Sequence, residues 1–155
     1  MKDIRRVCID SLIELAKTTE LVEITVLKLI EHANVKRATF YYSFTSIRDV
    51  IRCYFLEYPL LNTLSIENTN QLTVAIKKRL DRDKQFSRAL INQKIYRDVI
   101  QEVVFEWTQL YFRKRYSKAL TTFFSGGFCS CFLEDYVGNE ETLSQVSFLF
   151  QNSQK

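Results

Sequence analysis

Glycine, proline and histidine are scarce in this chain: 155 residues include 3 Gly, 1 Pro and the single histidine His32. Tight hairpin turns and phosphate-binding loops depend on glycine, so the sequence argues against β-sandwiches and nucleotide-binding loops. The four cysteines contain no CxxC pair, which argues against a tetrahedral zinc site. Hydrophobic residues make up 46% and charged residues 26%, proportions that are typical of a globular protein and not of a disordered chain. We expect an all-α protein without a metal or other cofactor.

Long hydrophobic runs are also missing. The longest uncharged run, residues 119–133, contains serine and threonine and is shorter than the roughly 20 apolar residues of a membrane-spanning helix. The first residues are charged and lack a signal-peptide core, so we expect a cytoplasmic protein with reduced thiols. The net charge of +4 is modest. It is weak evidence for nucleic-acid binding, which has to be judged from the local arrangement of charges.

Catalytic motifs are absent as well. The sequence contains no GxSxG, HExxH or P-loop pattern. The paired acids Glu134–Asp135 and Glu140–Glu141 are typical of solvated helix ends rather than of a catalytic dyad. We therefore expect no enzymatic activity.

The first 57 residues carry a clear helical pattern. Thr25 is a good N-cap, and Asn34 can adopt the left-handed conformation required in a tight turn between two helices. Apolar residues recur three and four positions apart, as on one face of a helix. Together these signals predict four helices, at residues 4–16, 25–33, 36–43 and 47–57.

Two short helices joined by a three-residue turn and packed on a preceding helix form a helix-turn-helix. In that arrangement the second helix, residues 36–43, presents its N-terminal half outward, and here this half carries cationic and hydroxyl groups and no acid. The spacing alone leaves another interpretation open, an ordinary three-helix packing unit with a basic, solvated face.

The segment TVLKLIEHANVKRATFYYSFTSIRDVI, residues 25–51, resembles the DNA-binding segment of the TetR family of bacterial regulators. The usual family pattern is T-V-x-x-I-A-x-x-A-G-V-S-x-G-T-F-Y-x-Y-F-x-S-K-E-x-L. The matched positions are Thr25, Val26, Ala33, Val35, Thr39, Phe40, Tyr41, Phe44 and Ser46. The chain departs from the pattern at four positions: Asn34 and Ala38 replace glycines, Ser43 an aromatic residue, and Ile47 a phosphate-reaching lysine.

The resemblance implies that a homodimer binds double-stranded DNA at a palindromic operator. Thr25 then meets a phosphate at a helix N-terminus, Arg37 faces base edges, and Arg48 substitutes for the missing lysine. The full set of implied DNA contacts is Thr25, Lys36, Arg37, Ala38, Thr39, Tyr41, Tyr42 and Arg48. Residues 1–52 would form the helix-turn-helix domain, and residues 53–155 a helical effector-binding and dimerisation domain, giving about nine helices in total.

The C-terminal part resembles the family less closely. We predict helices near residues 69–81, 84–92, 93–113, 117–137 and 140–150. The motif FFSGG, residues 123–127, resembles the start of the penultimate helix in many short family members. Each glycine destabilises a helix by about 1 kcal/mol relative to alanine. Close approach of a partner helix would explain why two glycines stand next to each other here. The implied dimer interface comprises Phe124, Gly127, Phe128, Cys131, Leu143, Val146 and Phe150, although the same residues could form an intramolecular core.

These features favour a ligand-responsive repressor in which helix 47–57 acts as a lever between the DNA-binding part and the rest. A small-molecule effector is part of this interpretation, but the sequence does not identify it. One alternative is an activator or co-regulated factor controlled by a protein partner. Another is a redox-sensing regulator that uses Cys129 or Cys131.

Overall fold

The structure is a computed structural model and describes residues 3–57 and 66–138. Within these residues the chain is helical, with no strands, which confirms the predicted all-α fold. A short 3-10 helix at Leu21–Glu23 accompanies eight α-helices: α1 Ile4–Leu15, α2 Val26–Ala33, α3 Arg37–Ser43, α4 Ile47–Glu57, α5 Thr69–Asp81, α6 Lys84–Asn92, α7 Lys94–Phe112 and α8 Lys118–Gly138. The helix predicted at 140–150, with Leu143, Val146 and Phe150, lies outside the described residues.

Local chemistry sets the angle between α2 and α3. The Thr25 hydroxyl accepts a hydrogen bond from the Lys28 backbone N–H at 3.2 Å and so caps α2. Asn34 ends this helix in the left-handed region, with φ 51° and ψ 48°. The Val35 N–H then bonds back to the Ile30 carbonyl at 2.9 Å, which closes the turn. Both signals were readable from the sequence because each depends on neighbouring residues only.

One hydrophobic core extends through the described part of the chain. We call α1–α3 the head and α5–α8 the body. Helix α4 packs against α1 of the head and α7 of the body, and its residues Tyr54 and Phe55 are buried. The predicted domain boundary at residue 52 therefore falls inside α4. None of the described helices combines the length and the apolar composition that crossing a membrane requires.

A buried arginine joins α5 to α4. Arg79 exposes only 8% of its surface, and its guanidinium donates to the Tyr54 carbonyl at 2.6 Å. The same group lies 4.5 Å from the Tyr54 ring centroid. The Tyr54 hydroxyl donates to Asp83, and burial, with that carboxylate, raises the pKa of the phenol. The charge of Arg79 is thus compensated by a carbonyl and an aromatic face, and α4 is held against the body.

Candidate DNA-binding interface

Most side chains of α3 are exposed or half-buried on the surface of the head. Of its seven residues only Phe40 is buried, and its ring packs 5.6 Å from that of Phe44. This single anchor holds α3 on the head through contacts with α1 and α2. A helix that buries so little contributes little to the core, so most of its side chains are available to a partner.

The exposed side of α3 is cationic and aromatic. Arg37 and Tyr42 are exposed, the tyrosine to 93% of its surface, and the Arg37 guanidinium lies 5.6 Å from the Tyr41 ring centroid. No acidic residue occurs between Glu31 and Asp49. Of the predicted contacts, those exposed here are Lys36, Arg37, Ala38, Tyr41 and Tyr42, while Thr39 is half-buried. The structure thus brings six predicted contacts onto one short segment.

The start of α2 adds polar groups that can meet a phosphate. The Thr25 side-chain oxygen accepts the Lys28 N–H, so its hydroxyl hydrogen is still able to donate to an external oxygen. The Lys28 side chain is exposed in the same turn. Lys28 is not among the DNA contacts predicted from the sequence. The signal was a cation three residues after an N-cap threonine, a position from which it can reach the same anion.

Arg48 occupies a different setting from the other predicted contacts. Its guanidinium donates to the Ile95 carbonyl at 2.7 Å and forms an ion pair with Asp98, both in the first turns of α7. The pairing with Asp98 raises the pKa of Arg48 and lowers the pKa of the carboxyl group. The predicted phosphate contact would therefore require Arg48 to leave or share these partners.

A second ion pair follows one turn later along α4. Arg52 pairs with Glu106 of α7, and both side chains are about one-third to two-fifths exposed. Arg48 and Arg52 are four residues apart on α4, and their acids are eight residues apart on α7. This spacing places both pairs along one seam between the two helices.

The predicted dimer residues of α8 separate onto two faces. Phe128 was expected at the interface, but its ring is 1% exposed and packs beside Phe112 and Phe132 in the core of its own chain. Phe128 thus belongs to the core of the described chain, the alternative that the sequence left open, and its role at the interface stays a prediction. Phe124 is half-buried against Phe112 and Tyr116.

The other face of α8 is open and partly apolar. Leu120 and Phe123 expose 47% and 73% of their surfaces, and Gly127 follows on the same face. A Cβ atom added at Gly126 or Gly127 would meet no atom within 4 Å beyond the adjoining residues and backbone of its own helix. The predicted residue Cys131 is half-buried one turn further along. Phe123 was missed because the sequence does not show which of two adjacent phenylalanines faces the core.

Two of the four thiols are buried. Cys8 and Cys129 are buried, and burial raises the pKa of both, that of Cys129 to about 11. The Cys129 thiol also donates to the Gln101 carbonyl at 3.4 Å. A raised pKa disfavours the reactive thiolate, so Cys129 behaves as a small core residue.

The described residues therefore define a helical protein with a helix-turn-helix head joined by α4 to a helical body. The solved structure of a protein named "Dihydroxyacetone kinase operon activator DhaS" is similar, with a TM-score of 0.59 over 97% of this chain and 95% of that chain. The two sequences are 14% identical, so the likeness is one of fold. No protein-family model matches this chain, and no curated protein sequence matches it.

Proposed function

We propose that this protein is a sequence-specific, DNA-binding transcriptional regulator of the TetR type that acts in the cytoplasm as a homodimer on a palindromic operator. The observation that carries the proposal is α3, a helix that buries Phe40 alone and exposes cations and tyrosines in a stretch without an acidic residue. A packing unit with a merely solvated face would not need two exposed tyrosines, whose hydroxyls suit phosphate oxygens.

The exposed groups divide into two kinds of contact. Arg37, in the first turn of α3, is placed to read a base edge, with Lys36 and Thr39 beside it, and an arginine can bind guanine through two hydrogen bonds. Contacts to the phosphates of the DNA backbone would come from Tyr41, from Tyr42 and from the N-terminus of α2, where Thr25 and Lys28 share one turn. These phosphate contacts fix the register of the head but carry no sequence information.

Dimerisation would use the open face of α8. Leu120 and Phe123 are large apolar side chains exposed on this face, and the glycines leave room for a second backbone to approach. Two heads held by such a dimer can enter successive major grooves about 34–36 Å apart, one helical turn of DNA.

Repression relieved by a small effector is our proposal for the direction of control. Activation is the second candidate, because the protein with the similar solved structure is named as an operon activator. A reporter gene placed downstream of the selected operator distinguishes the two. Expression that falls when the protein is supplied supports repression, and expression that rises supports activation.

Selection from a random duplex library at moderate salt tests the DNA-binding proposal directly. We expect the purified protein to enrich a palindromic sequence whose half-sites lie one helical turn apart. The Lys118→Ala variant, which loses one exposed cation in α8 of the body, should enrich the same sequence. Failure of the unmodified protein to enrich any sequence would exclude the proposal.

A further inference from the structure

The contact between Arg48 and Asp98 joins the first turn of α4 to the first turns of α7. It is accessible to solvent, since the two side chains expose 43% and 52% of their surfaces. The arginine is held twice, by the Asp98 carboxylate and by the Ile95 carbonyl. An ion pair this exposed contributes little to stability, so exchanging one partner for another costs little.

A carboxylate and a phosphate compete for the same features of an arginine. The guanidinium presents a planar fork of N–H donors that matches both anions, in each case through two parallel hydrogen bonds. In Arg48 one nitrogen of the fork donates to Asp98 and the other to the Ile95 carbonyl, so these two groups together occupy the donors that a DNA phosphate would use. The side chains of Lys94 and Arg97, in the same first turns of α7 as Asp98, are exposed cations, whereas the exposed acid Glu102 follows one turn later.

The position of Arg48 in the chain brings this competition close to the recognition helix. Helix α3 ends at Ser43, and only three residues separate it from the start of α4 at Ile47. The junction is fixed, because the Asp49 carboxylate accepts the Thr45 N–H at 3.0 Å and the Ser46 hydroxyl accepts the Asp49 N–H at 3.3 Å. Arg48 therefore lies in the first turn of α4, directly after the fixed junction with the recognition helix.

We propose that Asp98 is an internal competitor of DNA: it holds Arg48 on the body, and a backbone phosphate takes the arginine over when the head binds its operator. This inference rests on the proposed DNA-binding function. Breaking the pair in the free protein raises the affinity for DNA, and DNA binding in turn loosens this end of the α4–α7 seam, since the coupling is reciprocal. Any ligand or partner of the body that shifts the start of α7 then alters DNA binding through Asp98.

The test compares single and double variants on one selected operator duplex, by fluorescence anisotropy across a salt series. Asp98→Asn should bind about two- to fivefold more tightly than the unmodified protein, the factor that corresponds to a surface ion pair. Arg48→Ala should bind more weakly, and the slope of log K against log salt should fall by about one phosphate contact. In the double variant the Asp98→Asn gain should fall to the size of the Glu102→Gln gain, because no arginine remains to be released and only the general effect of removing a negative charge is left.

Glu102→Gln is the matched control. It removes the same charge from an exposed position one turn along α7, and Glu102 attracts Arg48 through space without a hydrogen bond. We expect a smaller gain that persists when Arg48 is replaced. An equal gain from Asp98→Asn with and without Arg48, or no gain at all, would overturn the competition. Absence of binding by every variant and by the unmodified protein would instead overturn the proposed function, and the inference with it.

Discussion

Tyr42 exposes 93% of its surface although a tyrosine ring gains free energy from burial. It stands in the same helix as Phe40, which is wholly buried, and the contrast shows how one short helix serves the head and a partner at once. Arg37 is oriented within that helix by the face of Tyr41. Such stacking limits the arginine to fewer conformations and so lowers the entropy lost when it contacts a base.

Two substitutions in α3 distinguish a contact to a base edge, which sets sequence preference, from a contact to a DNA phosphate, which sets overall affinity. Arg37→Ala should relax the preference at one base pair in each half-site, by about 1–3 kcal/mol, because it removes a base-edge contact. Tyr42→Ala should weaken binding to all sequences alike, because a phosphate contact carries no sequence information. The measurement is the affinity for a panel of operators with single base changes. Equal, sequence-independent losses for both variants would show that Arg37 contacts the backbone.

At the scale of the element, α8 has a face that packs and a face that is open. Phe128 and Phe132 lie on the packing face with their rings stacked 6.1 Å apart, whereas Phe123 and Gly127 lie on the open one. Phe123 and its neighbour Phe124 thus have different roles, since successive residues of a helix point about 100° apart. Phe123 is exposed, and Phe124 packs partly against the core. Because an open apolar face is costly in water, a partner that covers it would stabilise the protein.

Gly127→Leu should yield a folded monomer that binds DNA weakly. Gly127 is exposed, and a Cβ there meets nothing within 4 Å beyond its own helix backbone and chain neighbours. Leucine also favours a helix by nearly 1 kcal/mol over glycine, so the subunit itself should not lose stability. Overpacking at a close helix contact costs about 1–3 kcal/mol, which falls on the dimer. Sedimentation analysis measures the association constant. A dimer of unchanged affinity would place the interface on another surface.

Phe128→Ala and Phe123→Ala form a matched pair on the two faces of α8. Phe128 is buried against Phe112, so its truncation should lower the free energy of unfolding by about 3–5 kcal/mol. Phe123→Ala should leave the unfolding of the monomer nearly unchanged and weaken dimerisation instead. Urea unfolding at several protein concentrations separates the two effects. A large loss of monomer stability from Phe123→Ala would contradict the assignment of the faces.

At the scale of the whole molecule, α4 makes head and body parts of one core. Phe55 of α4 lies 6.3 Å from Trp107, ring centre to ring centre, and Tyr54 of the same helix binds the buried Arg79 of α5. The predicted action of α4 as a lever requires that both of its ends are packed, and α4 meets this requirement. The same packing makes independent unfolding of the head unfavourable.

We therefore expect head and body to unfold in a single cooperative transition. Fluorescence of Trp107, the only tryptophan, reports the body, and far-UV circular dichroism reports all helices. The two signals should give coincident urea transitions at equal protein concentration. A loss of helix signal that precedes the fluorescence change would show that the head unfolds separately, and would weaken the lever mechanism.

Interactions between residues close together in the sequence determined where the described helices begin and end. The Thr25 cap, the left-handed Asn34 and the helical period of the apolar residues act over a few positions, so the sequence predicts the helix-turn-helix and the bounds of the described helices to within one or two residues. Exposure along α3 was likewise predictable, because one aromatic anchor in a polar segment leaves the remaining side chains outside.

The partner of a side chain was settled only by tertiary structure. The sequence around Arg48 gives no sign of a partner for its charge. In the structure Arg48 forms an ion pair with Asp98, fifty residues further along the chain. Phe128 and Phe123 are chemically identical, and the direction from which α7 packs decides which of them is buried. Burial and pairing depend on contacts between distant segments, whereas capping and periodicity do not, because they arise between neighbouring residues within a single helix.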